Sequence, residues 1–135
     1  MAAVLFMKNH SIDFYGANCG VGTEELLQTI SEMKNAGGDK IIAKSNCGIP
    51  FFDNGIIKYS ESVESMGNYA VKARNFGANF IGGCCGTEAK HIKQIKKKLD
   101  NSPYKFLKLE QNNLPARNTT RIRRNRRGKK LLNKF

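Results

Sequence analysis

The chain has 135 residues, with 23 Lys+Arg against 11 Asp+Glu, four cysteines and no tryptophan. That length fits one domain with a core of its own. The charge excludes less than its total of +12 suggests, because residues 1–100 hold 12 basic and 10 acidic side chains while residues 101–135 hold 11 and 1. The excess therefore belongs to a tail and says little about the part that folds. No apolar run reaches membrane-spanning length. The apolar opening Met1–Met7 is ended by Lys8, Asn9 and His10 and lacks a basic leader and a cleavage site. Cys19, Cys47, Cys84 and Cys85 accordingly read as free or metal-bound thiols of a reducing cytoplasm.

In chain order, residues 2–8 read as the last turns of a helix, with His10 and Ser11 as its exit. Asp13–Tyr15 is a predicted strand, and residues 16–22 form a glycine-rich loop. Thr23 is placed as an N-cap, with Glu24 and Glu25 in the first turn and Leu26, Leu27, Ile30 and Met33 as one apolar stripe. Gly37 and Gly38 stop that helix. Lys40–Lys44 is the second strand, and residues 51–61 read as a long loop. Val63, Met66, Ala70 and Ala73 mark a second helix, closed by Gly77. Asn79–Ile81 is the third strand. Thr87 is placed as the cap of a third helix, with Ala89, Ile92, Ile95 and Leu99 on one face and Ser102-Pro103 as its end.

A helix end followed by three strand–helix units of about thirty residues argues for parallel strands. In such folds function gathers at the carboxyl ends of the strands. Cys19, Asn46, Cys84 and Cys85 all fall there. Three soft thiols on such turns point to a metal, zinc above all. Strands about 4.8 Å apart put the first and third roughly 10 Å from each other if the three are sequential neighbours. Loops leaning inward bring Cys19 to the Cys84–Cys85 pair, with Asn46 between them on the middle strand. Three cysteines leave a tetrahedral site one ligand short, the mark of a catalytic zinc. The competing readings are buried cysteines used as small apolar side chains and a redox pair, against which stands the missing two-residue spacer. Gly16, Gly20 and Gly22 lack the Lys-Ser/Thr ending of a phosphate loop. His91 is assigned a surface or helix-packing role, and His10 a loop position.

Gly16-Ala-Asn-Cys19, Lys44-Ser-Asn-Cys-Gly-Ile-Pro50 and Gly82-Gly-Cys-Cys-Gly-Thr87 together resemble the last part of the homocysteine S-methyltransferase family. The resemblance covers roughly residues 2–99. It implies the last three strand–helix units of a TIM-type (β/α)8 barrel as a partial methyltransferase domain over residues 1–100. It further implies Zn2+ held by Cys19, Cys84 and Cys85, with the Asn46 side-chain oxygen as a provisional fourth ligand. Homocysteine is the implied thiol substrate, and the methyl donor is of the betaine, methylcobalamin or S-methylmethionine type. The family's usual Asn-Ala-Gly is Asn46-Cys47-Gly48 here, and Cys47 is expected to be a buried small side chain. A whole barrel needs about 250 residues, so the chain resembles a fragment, expected to be inactive alone unless a second chain completes the barrel.

Residues 101–135 are expected to be a disordered basic tail. Seven Lys or Arg lie between Arg121 and Lys130, and no aromatic residue is interleaved between Phe106 and Phe135 for base stacking. The tail reads as a solvated segment, or as an arm giving weak, nonspecific, salt-sensitive binding to polyanions. A rival to the enzymatic reading follows from it: a small zinc-binding module whose tail binds nucleic acid.

Overall fold

Amphipathic helical stretches alternate with short β-prone runs along this chain, and neighbouring strands of its parallel sheet are joined by segments long enough to cross over the sheet. The computed structural model describes residues 2–19 and 22–108. The elements are α1 (Ala2–Asn9), β1 (Tyr15–Asn18), α2 (Thr23–Asn35), β2 (Ile41–Ser45), β3 (Pro50–Asp53), β4 (Ile56–Tyr59), α3 (Val63–Asn75), β5 (Ala78–Gly83) and α4 (Ala89–Asn101). Strands β1, β2 and β5 form a parallel sheet in that order, so the strands predicted from the sequence are sequential neighbours with β2 in the middle. This α/β arrangement is consistent with part of a TIM-barrel domain.

Alternation along β2 decides which face is covered. Ile41, Ala43 and Ser45 are buried, whereas Ile42 is half-buried and Lys44 exposed. The covered face meets Leu26, Leu27 and Ile30 of α2 and Met66, Tyr69, Ala70 and Ala73 of α3, with Ile95 of α4 in the same core. Each large side chain buried there contributes roughly 1.5–3 kcal/mol. On the other face Phe14 meets Phe80 edge-on at 5.0 Å, and both rings remain about half exposed.

Several boundaries differ from the sequence-based expectation. Residues 51–61 are a β-hairpin rather than a loop, and Asn54 and Gly55 form its two-residue turn with φ of 48° and 82°. Positive φ at both positions belongs to a type I′ turn, whose twist suits paired strands. Strand β1 runs over Tyr15–Asn18 instead of 13–15, since Tyr15 is the first residue in register with β2, opposite Ile41. Thr23 is the first helical residue of α2 and not its cap, which is Gly22. Thr87 likewise does not cap α4; Glu88 does, and its backbone N–H donates to His91 Nδ1 at 2.9 Å. That bond turns His91 inward, so His91 is buried with Ile95 while Ile92, expected on the apolar face, is 46% exposed.

Residues 103–107 are tied to the C-terminal end of α3. Leu107 donates to the Asn75 carbonyl at 2.7 Å, and Arg74 reaches the Leu99 and Pro103 carbonyls at 3.0 and 2.8 Å. The basic tail expected to be disordered and to bind polyanions spans residues 101–135; Asn101 ends α4 and residues 103–107 are bonded to α3, while residues 109–135 lie outside the described residues. Among the described residues, no helix is long and apolar enough to cross a membrane.

Candidate metal centre

Parallel register sets Asn18 opposite Lys44 and Lys44 opposite Gly82, so the three strands end at one level. Backbone bonds then carry the pairing past the strand ends. Cys19 N–H donates to the Lys44 carbonyl at 2.9 Å, Cys84 N–H to the Ser45 carbonyl at 2.7 Å, and Cys47 N–H to the Cys85 carbonyl at 2.8 Å. Two local conformations aim the thiols. Cys19 takes a left-handed backbone with φ of 63°, which costs a residue with a Cβ about 1–2 kcal/mol. After Cys85 the chain reverses through Gly86, with φ of 73°, and Thr87 N–H closes the turn on the Cys84 carbonyl at 3.2 Å. Left-handed glycine at the third position is what a type II turn requires.

The result is a cluster. The Sγ atoms of Cys19, Cys84 and Cys85 all lie within 4.8 Å of one another. Cys85 Sγ stands 3.8 Å from both Cys19 Sγ and Cys84 Sγ. That spacing is far beyond the ~2.05 Å of a disulfide bond. It equals the edge, about 3.8 Å, of a tetrahedron built on Zn–S bonds of about 2.3 Å. The donor set is soft, and its members are half-buried or exposed, so an ion or a ligand can reach it.

The thiols differ in their tendency to ionise. Asn18 Nδ2 donates to Cys84 Sγ at 3.8 Å and, as the leading cause, holds the Cys84 thiol below its ordinary range. Cys85 is pushed up by its hydrogen bonds with Cys19 and Cys84 and by repulsion from the same two groups. Cys84 is thus favoured in its charged form, whereas a charge on Cys85 is resisted by its neighbours. A divalent cation removes that resistance.

Asn46 follows β2, between the strand that leads to Cys19 and the one that leads to Cys84. It is buried, and its Nδ2 donates to the Gly48 carbonyl at 2.9 Å. Cys47 is 1% exposed and stands apart from the other three cysteines. Its Sγ lies 3.4 Å from the Glu61 carbonyl and 3.4 Å from His91 Nε2. Burial, followed by the nearby Glu61 and Glu88 carboxylates, pushes its thiol up. It is the buried small side chain that the sequence led us to expect.

Two participants were missed in the sequence. Asn18 is one, although it could be found by noting that a side chain one residue before Cys19 shares a sheet face with Lys44. Tyr59 is the other, since a Cβ placed on Gly86 would overlap its ring. Tyr59 belongs to the hairpin, so its position was invisible while residues 51–61 were read as a loop.

Comparison with known proteins bears on the same span. Residues 1–99 match the family described as Homocysteine S-methyltransferase. Methionine synthase of Mycobacterium tuberculosis is 24% identical over 98 residues, covering 70% of this chain and 8% of that protein. An S-methylmethionine–homocysteine S-methyltransferase of Mus musculus is 30% identical over 104 residues, covering 64% of this chain and 29% of that protein. The chain therefore spans less than a third of the length of either relative. The matched residues include the whole parallel sheet and every member of the thiol cluster. Sequence likeness and site geometry thus meet in one stretch, and the chain belongs to the homocysteine S-methyltransferase family.

Proposed function

We propose that the chain forms the zinc-binding end of a homocysteine S-methyltransferase barrel, where the thiol of homocysteine is held for methylation to methionine. The observation that carries this reading is the thiol spacing, two Sγ···Sγ distances of 3.8 Å that fit a zinc–thiolate tetrahedron. Cys19, Cys84 and Cys85 are the ligands. Asn46 would be the provisional fourth, through its side-chain oxygen. Zinc, when bound, supplies a Lewis acid that keeps a thiol ionised near neutral pH, ready to attack an activated methyl group.

The chain's own residues prepare that site. The Asn18 amide steadies the Cys84 sulfur in its charged form. The start of α4 directly after the Cys84–Thr87 turn adds the positive end of a helix to the same side. Thiols kept reduced in the cytoplasm suit this use. The methyl donor is of the betaine, methylcobalamin or S-methylmethionine type. The half-exposed pair Phe14 and Phe80 on the uncovered sheet face favours completion of the barrel by strands from outside these residues, a second chain being one source. Methyl transfer then depends on that completion, and residues 1–135 alone turn over little or no substrate.

Substitution Cys84→Ser tests the ligand assignment. Metal analysis should find one zinc per chain in the parent and most of it gone in the variant. Equal zinc content in the two proteins refutes the assignment.

A further inference from the structure

The turn that bears Cys84 and Cys85 contains a glycine and follows a strand at the sheet edge, so something must hold it in place. Three hydrogen bonds and a short run of backbone trace a closed path around it. Cys47 N–H donates to the Cys85 carbonyl at 2.8 Å, and Cys47 Sγ faces His91 Nε2 at 3.4 Å. On the far side of the ring, His91 Nδ1 accepts from Glu88 N–H at 2.9 Å. Glu88 returns along the backbone through Thr87 and Gly86 to Cys85, and Cys47 Sγ is also placed 3.4 Å from the Glu61 carbonyl.

The directions of these bonds agree with one another. Nδ1 accepts from a backbone N–H, so it carries no proton; the proton of the neutral ring is therefore on Nε2, which donates to Cys47 Sγ. The thiol hydrogen of Cys47 is then left to donate to the Glu61 carbonyl. His91 is 4% exposed and Cys47 1%, so water does not compete for either group. We infer that His91 is a positioning residue for the metal centre, holding the Cys84–Cys85 turn at its distance from Cys19 through the thiol of Cys47. This rests on the zinc reading above and adds two residues that touch neither metal nor substrate. Partners one shell out from a metal typically change its affinity by roughly 10–100-fold.

Two single variants and their combination test it. Cys47→Ala removes the sulfur and leaves the helix cap intact, while His91→Leu removes both bonds of the ring. Zinc affinity measured by chelator competition is expected to fall about tenfold in each single variant. In the double variant it should fall by less than the product of the two, because one path is broken twice. Cys47→Ser, whose hydroxyl accepts and donates as the thiol does, should stay within about threefold of the parent. Urea unfolding of the metal-free proteins corrects for general destabilisation, which a merely structural role would also produce. Zinc affinities of the single variants within twofold of the parent, or losses that multiply independently, overturn the inference.

A second readout does not need the metal. In the metal-free chain, amide exchange at Cys84 and Thr87 should quicken at least tenfold in Cys47→Ala, while exchange at the core residue Ile30 is unchanged. If the parent binds no zinc, the zinc reading fails by itself, and unchanged exchange at Cys84 and Thr87 sinks the positioning role separately.

Discussion

Replacing Gly86 by alanine probes the geometry of the cysteine turn most sharply, since two penalties coincide there. The residue sits at φ of 73°, where a Cβ costs about 1–2 kcal/mol. The added methyl also overlaps the ring of Tyr59, which packs against the core and cannot swing freely away. Overpacking of that kind costs roughly 1–3 kcal/mol. Together the loss is about 2–5 kcal/mol, a large share of the ~5–15 kcal/mol that holds a small domain together. Urea unfolding followed by circular dichroism reads it directly. With a slope of about 1 kcal/mol per M for a chain of this size, the midpoint falls by roughly 2 M or more, or the variant unfolds outright. Gly55→Ala is the control: its φ is 82°, but an added Cβ has nothing within 4 Å. It should lose only the backbone share, at most about 2 kcal/mol. Tyr59→Ala should recover part of the loss when combined with Gly86→Ala. A Gly86→Ala loss no greater than that of Gly55→Ala refutes the account of this turn.

Other predictions concern the frame around the site. Ser62 caps α3 by accepting from Ser65 N–H at 3.0 Å, so Ser62→Ala should cost about 1 kcal/mol in the same unfolding assay. Burial raises the Tyr69 phenol well above its ordinary value, outweighing the bond from Ser45 N–H at 3.2 Å. A raised folded-state value means stability that is complete below the unfolded-state pKa of about 10 and is lost as pH climbs past it. Unfolding measured between pH 8 and 11 should show that decline, and Tyr69→Phe should flatten it while costing about 1–3 kcal/mol at neutral pH. Zinc binding should release protons, because the thiols must ionise to ligate. Its affinity should therefore fall steeply as pH drops below 7, and isothermal titration in buffers of different ionisation enthalpy counts the protons.

How much of this was legible in the chain depends on what kind of force placed each residue. The parallel sheet and its three flanking helices follow from periodicity, which Leu26, Ile30, Met66 and Ala73 carry plainly. The cysteines were readable because they stand just past short β-prone runs, where parallel strands place reactive groups. The hairpin is not legible as two strands although Asn54-Gly55 is a strong turn signal between apolar runs, because each of its strands has only four residues and the first begins with Pro50. Gly16 hid the extent of β1: glycine is a poor strand former, yet here a side chain would strike the Ile42 backbone. His91 takes the helix-packing alternative of its two expected roles, and Ile92 loses its expected place on the apolar face, because a single cap bond from Glu88 turns the imidazole inward. No local pattern contains such a contact, and the same holds for Asn18 and Cys84, which are 66 positions apart.

X-ray absorption at the zinc edge, on the purified chain with and without homocysteine, tests the central claim most directly. The account predicts three sulfurs and one lighter donor at zinc, changing to four sulfurs when homocysteine is added. Fewer than three sulfurs, or three that do not become four at saturating homocysteine, would contradict it.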